Sequence, residues 1–130
     1  MLRFFGRGSA FADTHNSAYF IYEDNLVLVD CSMDAYFQIK NAALKDVKSI
    51  YVLITHTHSD HIAGIPLLID YEFFNGKIPV IVVAPSEEVK KDLLYLIANI
   101  DGCDESWYTL DVFENAKKNL SCLTNVIPTI

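Results

Sequence analysis

The 130-residue sequence has little of several residue types, and each shortage excludes a class of protein. Its three cysteines form no Cys-x-x-Cys pair and are odd in number, so we expect reduced thiols and no disulfide framework. No apolar run reaches the roughly 18 residues that a transmembrane helix needs. The amino terminus becomes glycine-rich too early for a signal peptide. We therefore expect a cytoplasmic protein with no membrane association.

Basic residues are also scarce, since ten Lys and Arg residues stand against 17 Asp and Glu residues, for a formal net charge of −7. Binding to a nucleic-acid backbone depends on Lys and Arg side chains that neutralise phosphates, so this balance argues against a broad surface for DNA or RNA. Apolar residues make up 52% of the chain, enough for one hydrophobic core. We predict that residues 1–130 belong to a single domain.

Histidine is rare but concentrated, because three of the four histidines fall in residues 55–61, which read Thr-His-Thr-His-Ser-Asp-His after an apolar run. Side chains two positions apart in an extended segment point to the same face, so His56 and His58 can reach one cation together. A turn after His58 would direct Asp60 and His61 toward the same cavity and add a carboxylate and an imidazole. The pattern predicts two metal ions side by side.

The ligand types narrow the choice of metal without deciding it. Imidazole and carboxylate groups suit zinc, manganese or iron, and we expect two divalent ions, with zinc first among them. Asp60 is also a candidate catalytic residue, because a carboxylate beside a metal can accept a proton or orient the attacking nucleophile. We expect no other cofactor.

The cluster His56, His58, Asp60 and His61, followed by Gly64, resembles the signature of the metallo-β-lactamase-fold hydrolases. Three upstream segments resemble the opening strands of the ribonuclease Z and phosphodiesterase branch of that fold, at residues 4–10, 15–17 and 26–31. The resemblance implies an αββα sandwich, of which this chain corresponds to the N-terminal half. It also implies that Asp30 supports the metal loop by hydrogen bonding, as a carboxylate beyond the metal ligands does in many metal sites.

Hydrophobic periodicity predicts an α/β protein with a mixed sheet. We predict a β-hairpin closed by residues 23–25, and N-caps at Ser32 and Ser86. Pro66 is expected in the first turn of a helix, with Ile65 before that helix. The predicted strands are residues 2–5, 18–22, 26–29, 47–54, 78–84, 107–113 and 120–127, and the predicted helices are residues 34–45, 66–74 and 86–97.

The number of candidate ligands raises a question about the site. The resemblance implies three later ligands, two of them histidines, whereas no histidine follows His61 in this sequence. A catalytic zinc usually has three protein ligands, so four candidates are too few for two metals. We expect a fragment, an enzyme completed by a second copy or by a complementary C-terminal half, or a remnant without catalysis. An uncovered apolar sheet face would favour association.

The resemblance and the cluster together predict a metal-dependent hydrolase, most simply a phosphodiesterase that uses a hydroxide activated by two metals. The acidic balance favours a small phosphodiester such as a cyclic nucleotide over RNA, although the branch includes enzymes that process transfer RNA. Two alternatives stay open. One is a lactone or thioester hydrolase of the same fold, and the other is a non-catalytic metal-binding or assembly module.

Overall fold

The computed structural model describes residues 3–6, 17–42, 44 and 46–118, with side chains from residue 18 onward other than those of Ser59 and Asp60. Within those residues, six strands form one sheet in sequential order. They are β1 (Arg3–Gly6), β2 (Ser17–Tyr22), β3 (Asn25–Val29), β4 (Ser49–Leu53), β5 (Val80–Ala84) and β6 (Thr109–Val112).

The sheet is mixed, as the hydrophobic periodicity predicts. β1, β2 and β3 pair antiparallel, and β3 to β6 pair parallel. The predicted hairpin between β2 and β3 is closed by Glu23 and Asp24, whose φ angles of 48° and 67° suit the tight turn that joins twisted strands. Because β3 to β6 run in one direction, their carboxyl ends lie along the same edge of the sheet.

Helices lie on both faces of the sheet. They are α1 (Met33–Asn41), α2 (Ser59–Ile62), α3 (Ile65–Tyr71), α4 (Glu87–Leu94) and α5 (Phe113–Ala116). Four of these helices, α1 to α4, cover one face of the sheet, and α5 lies on the other face. Both predicted N-caps are confirmed, since the Ser32 hydroxyl accepts from the Ala35 N–H at 3.1 Å and the Ser86 hydroxyl from the Val89 N–H at 3.3 Å. None of the described helices is long and apolar enough to cross a membrane.

The helix after the histidine cluster differs from the prediction at both ends. Ile65 is its first residue although it precedes proline, because Ile65 is fully buried and packing outweighs the local bias. The helix continues beyond Tyr71 as a π-helical turn, Glu72–Gly76, and the left-handed residue that ends it is Lys77, with a φ of 63°. Consequently β5 starts at Val80, two residues later than predicted.

Other boundaries also moved. The helix predicted at residues 34–45 ends at Asn41. The strand predicted at residues 107–113 is shorter, because Glu105–Trp107 forms a 3₁₀ turn in which the Asp104 carboxylate accepts from the Ser106 N–H at 3.0 Å. The strand predicted at residues 120–127 lies outside the described residues.

The core has a part on each face of the sheet. Beneath α1 to α4 lies the larger part, which includes Leu28, Val52 and Val82, all fully buried. We expected the opposite face to be bare, and this expectation is wrong for its centre, because α5 folds back over β5 there. The buried residues of this second part are Phe20, Val27, Leu53, Val83 and Ala116.

Candidate metal centre

The histidine cluster lies at the carboxyl ends of two neighbouring parallel strands. Val29 of β3 pairs with Leu53 of β4, so the residues that follow these two strands leave the sheet side by side. Asp30 follows β3 directly, and His56 follows β4. The chain then turns into the short helix α2, which carries His61 back toward them. This turn re-aims His61, as the sequence predicts.

The three histidine rings of the motif converge. The ring centroids of His56 and His58 are 4.6 Å apart with nearly perpendicular planes, and those of His56 and His61 are 3.9 Å apart. His56 and His58 are exposed, whereas His61 is half-buried. The backbone of Asp60 belongs to α2, but its side chain lies outside the part that the structure describes, so its role as ligand and catalytic residue stays a prediction.

Asp30 is the buried centre of a hydrogen-bond network beneath these rings. Only 4% of the residue is exposed. Its Oδ1 accepts from the Thr55 N–H at 2.8 Å, and its Oδ2 accepts from the Thr55 hydroxyl at 2.7 Å. The same Oδ2 lies 2.7 Å from Nδ1 of His61. The Asp30 backbone has a φ of 62°, a left-handed conformation that Asp tolerates better than most residues.

The contact between Asp30 and His61 decides which ring nitrogen of His61 carries the proton. A carboxylate oxygen only accepts hydrogen bonds, so Nδ1 of His61 carries the proton. In a neutral imidazole the lone pair then belongs to Nε2, which is the arrangement that metal-binding histidines show when a carboxylate holds the other nitrogen. The donor set therefore fits a divalent metal ion, although its role as a ligand set stays a prediction.

Backbone hydrogen bonds attach α2 to the segment after β3. The Cys31 N–H donates to the His61 carbonyl at 2.7 Å, and the Gly64 N–H donates to the Cys31 carbonyl at 2.9 Å. A Cβ atom on Gly64 would lie 2.2 Å from the carbonyl oxygen of Ser32, so only glycine allows this approach. Gly64 thus lets the two segments hold His61 in place.

Cys31 lies next to the site but is a poor ligand. The residue is fully buried, and burial together with the nearby Asp30 charge raises the pKa of its thiol to about 12. Because the thiolate is the form that binds metals, a thiol that stays protonated at neutral pH does not compete with the imidazoles. Cys31 is therefore a small core residue.

A second group that could hold a metal ion lies elsewhere, at Asp70, Asp101 and Cys103, whose ligand atoms all lie within 4.8 Å of one another. Sγ of Cys103 lies 3.3 Å from a carboxylate oxygen of Asp70 and 3.6 Å from one of Asp101, so the two carboxylates compete for its one proton. Burial, and then the hydrogen bond to Asp70, raise the pKa of this thiol well above its usual range. The sequence carried no signal for the group, because its members lie up to 33 positions apart.

A groove of about 430 Å³ adjoins the histidine cluster at Thr57. Its walls are mostly apolar and its one charged lining residue is acidic, so no described residue of the groove is basic. The lining residues are Thr57, Ile62, Ala63, Pro66, Leu67, Leu96 and Asp101. Such a groove suits an uncharged group better than a phosphate backbone.

Comparison with known proteins places the chain in a family. The sequence profile of the family described as "Anti-Pycsar protein Apyc1" matches residues 1–118. The chain belongs to the Anti-Pycsar protein Apyc1 family. A protein of that name from Paenibacillus sp. (strain J14) is 34% identical over 87 residues, which are 64% of this chain and 35% of the relative.

Ribonuclease Z proteins are also similar to the chain. The one from Methanococcus maripaludis (strain C6) is 30% identical over 121 residues, 90% of this chain and 38% of the relative. The one from Alkaliphilus oremlandii is 32% identical over 126 residues, 92% of this chain and 37% of the relative. The chain therefore spans well under half the length of these curated relatives, which fits the prediction that it corresponds to an N-terminal half.

Two solved structures show the same fold. The short form of human tRNase Z superposes with a TM-score of 0.63 at 23% identity, over 85% of this chain and 44% of that one. The metallo-beta-lactamase fold protein YhfI from Bacillus subtilis superposes with a TM-score of 0.66 at 16% identity, over 86% and 44%. The predicted ribonuclease Z-like resemblance and the metallo-β-lactamase fold are thereby confirmed. The fold family implies divalent metals.

Proposed function

We propose that residues 1–130 form part of a metallo-β-lactamase-like domain and carry the metal-binding motif of a phosphodiesterase. His56 and His58 would hold one divalent ion, and Asp60 and His61 would hold a second, with zinc as the expected metal. The observation that supports this proposal is the convergence of three imidazole rings, with the centroids of His56 and His61 only 3.9 Å apart. The ribonuclease Z names of several relatives agree with phosphodiester chemistry.

In the proposed reaction the two ions, when bound, supply Lewis acidity and lower the pKa of a water molecule. The described residues orient the candidate ligands. Asp30 keeps the proton of His61 on Nδ1 and restricts the rotation of the ring through a 2.7 Å contact. We assign proton acceptance, or orientation of the nucleophile, to Asp60.

For the substrate, we propose a small phosphodiester such as a cyclic nucleotide. The net charge of −7 argues against a long phosphate backbone, and the adjoining groove, whose described lining has no basic residue, suits the uncharged part of a small substrate. RNA is the competing substrate, because several relatives carry the name ribonuclease Z. A salt titration of RNA binding separates the two, since an RNA-binding surface loses affinity steeply as salt increases. Strong, salt-sensitive RNA binding would favour the nuclease.

Activity is tested on bis(p-nitrophenyl) phosphate with added zinc or manganese. The 130 residues offer four candidate ligands for two sites, so we expect little turnover from this chain by itself. Turnover should appear when a polypeptide corresponding to the remaining part of a relative is added. Asp60→Ala should then remove most of the activity. Asp92→Ala, at an exposed position of α4, is the matched control that should leave it unchanged. Full activity of Asp60→Ala would show that the carboxylate is dispensable.

The four-ligand count also favours a second candidate, a metal-binding module that assembles with a second copy or a complementary C-terminal half. In that case the chain binds zinc and associates, but no added polypeptide produces turnover. Light scattering tests the association, which should appear as a mass above that of one chain, 14.7 kDa. A monomer that melts cooperatively and binds no zinc would contradict both candidates.

A further inference from the structure

The hydroxyl of Thr55 lies between a buried carboxylate and one of the histidines of the motif. Thr55 Oγ1 is 2.7 Å from Oδ2 of Asp30 and 3.0 Å from Nδ1 of His56. The backbone of Thr55 is held as well, because its N–H donates to Oδ1 of Asp30 at 2.8 Å. Thr55 therefore binds the carboxylate with both its backbone and its side chain, which leaves the hydroxyl little freedom to turn away.

The protons in this chain of contacts can be assigned. A hydroxyl has one proton to donate, and a carboxylate can only accept, so the Thr55 proton points to Asp30. The Thr55 oxygen then has only lone pairs to offer Nδ1 of His56. A hydrogen bond at 3.0 Å requires a proton on that nitrogen. The neutral ring of His56 therefore keeps its free lone pair on Nε2.

We infer that Thr55 is a positioning residue that sets the tautomer of His56 by relaying the effect of Asp30. The same carboxylate acts directly on His61, whose Nδ1 lies 2.7 Å from it. One buried acid thus determines which nitrogen two histidines present, and both present Nε2. Both neutral rings then carry their proton on Nδ1, and their centroids are 3.9 Å apart. The importance of the tautomer for metal binding rests on the proposed function, whereas the assignment of the tautomer does not.

The test reads the tautomer in the metal-free chain by ¹⁵N NMR of histidine-labelled protein, where protonated and bare ring nitrogens resonate far apart. His56 of the unmodified chain should carry its proton on Nδ1. Thr55→Val keeps the shape and removes the acceptor, so the Nδ1 proton should be lost in most molecules. Thr55→Ser keeps a hydroxyl and should retain the original tautomer. Thr57→Val, the same change beside the same histidine, is the matched control and should alter nothing.

Zinc affinity gives the second readout, from competition with a chromophoric chelator. Thr55→Val should weaken binding about 10–100-fold, in the range known for residues that orient metal ligands. A proton on Nε2 of His56 in the unmodified chain would overturn the inference, even if Thr55→Val failed to fold. Unchanged zinc affinity in Thr55→Val would overturn the positioning role. A correct tautomer in a chain that binds no zinc would instead reject only the proposed metal site.

Discussion

Two groups of side chains in this molecule bring together atoms that could bind a metal. The two groups differ in where the protons of these atoms lie. In the histidine cluster, Asp30 accepts hydrogen bonds from the Thr55 hydroxyl and from Nδ1 of His61, so the proton of the His61 ring lies on Nδ1. In the second group, the proton of the Cys103 thiol lies among the candidate ligand atoms themselves, because the carboxylates of Asp70 and Asp101 are its acceptors.

This difference shows that a short distance between ligand atoms is not sufficient for a metal site. A metal requires deprotonated ligands, and its affinity falls by the free energy needed to remove their protons. Burial raises the pKa of the Cys103 thiol, which therefore favours its protonated form, and burial also raises the pKa of the Asp70 carboxyl. A neutral imidazole binds a metal through the nitrogen that has no proton, so no proton has to be removed from it. We therefore expect zinc at the histidines and none at Cys103.

The largest expected effect is the loss of zinc when the histidines are removed. His56→Ala combined with His58→Ala should abolish stoichiometric zinc in the purified chain, because both side chains would hold the first ion. Elemental analysis measures the metal content. The matched control is Asp70→Asn combined with Asp101→Asn, which should leave the zinc content unchanged. Zinc retained without the two histidines would contradict the ligand assignment.

Asp30→Asn should weaken zinc binding about 10–100-fold without abolishing it. An amide has one accepting oxygen where the carboxylate has two, so one of the groups at Thr55 or His61 loses its partner. Asparagine tolerates the left-handed backbone at this position, so the fold should persist. Asp24→Asn is the matched control, since Asp24 is also left-handed, with a φ of 67°, but exposed. Zinc affinity is measured by chelator competition. Equal zinc affinities of the two variants would show that Asp30 does not support the metal ligands.

Gly64→Ala should destabilise the fold by about 1–3 kcal/mol, because the added methyl group overlaps the backbone of Ser32. Gly64 has a φ of −84°, which alanine adopts freely, so the cost is steric. Gly102→Ala provides the contrast, since Gly102 has open space around it but a φ of 76° that alanine disfavours. Urea unfolding gives both values. Only Gly64→Ala should also weaken zinc binding, because only Gly64 is attached to the segment that holds His61.

The smallest effect is expected at the second group. Cys103→Ser should leave the zinc content unchanged. In the native chain at pH 8, both Cys103 and Cys31 should react slowly with iodoacetamide, because burial raises the pKa of each thiol and little thiolate forms. Both should react quickly once guanidinium chloride unfolds the chain. Peptide mapping by mass spectrometry separates the sites, and rapid native labelling of Cys103 would place it in an exposed, reactive environment.

Local features of this protein could be predicted from the sequence because they depend on neighbours in the chain. The N-caps at Ser32 and Ser86 need only an oxygen three residues before a free N–H. The strand followed by a histidine-rich turn is visible for the same reason. Where packing outweighed local preference, prediction failed, as at Ile65, whose complete burial placed it in the helix despite the proline that follows.

The sequence by itself determined which side chains are available for a metal, because the motif is contiguous and strand periodicity orders it. Only the tertiary structure decided their protonation and orientation. Asp30 lies 25 residues from Thr55 and 31 from His61, and its carboxylate reaches both because β3 and β4 pair in parallel with one register. The same holds for Cys103 and Asp70, which lie 33 residues apart. Hydrogen bonds over such separations depend on how strands and helices pack, which no local pattern encodes.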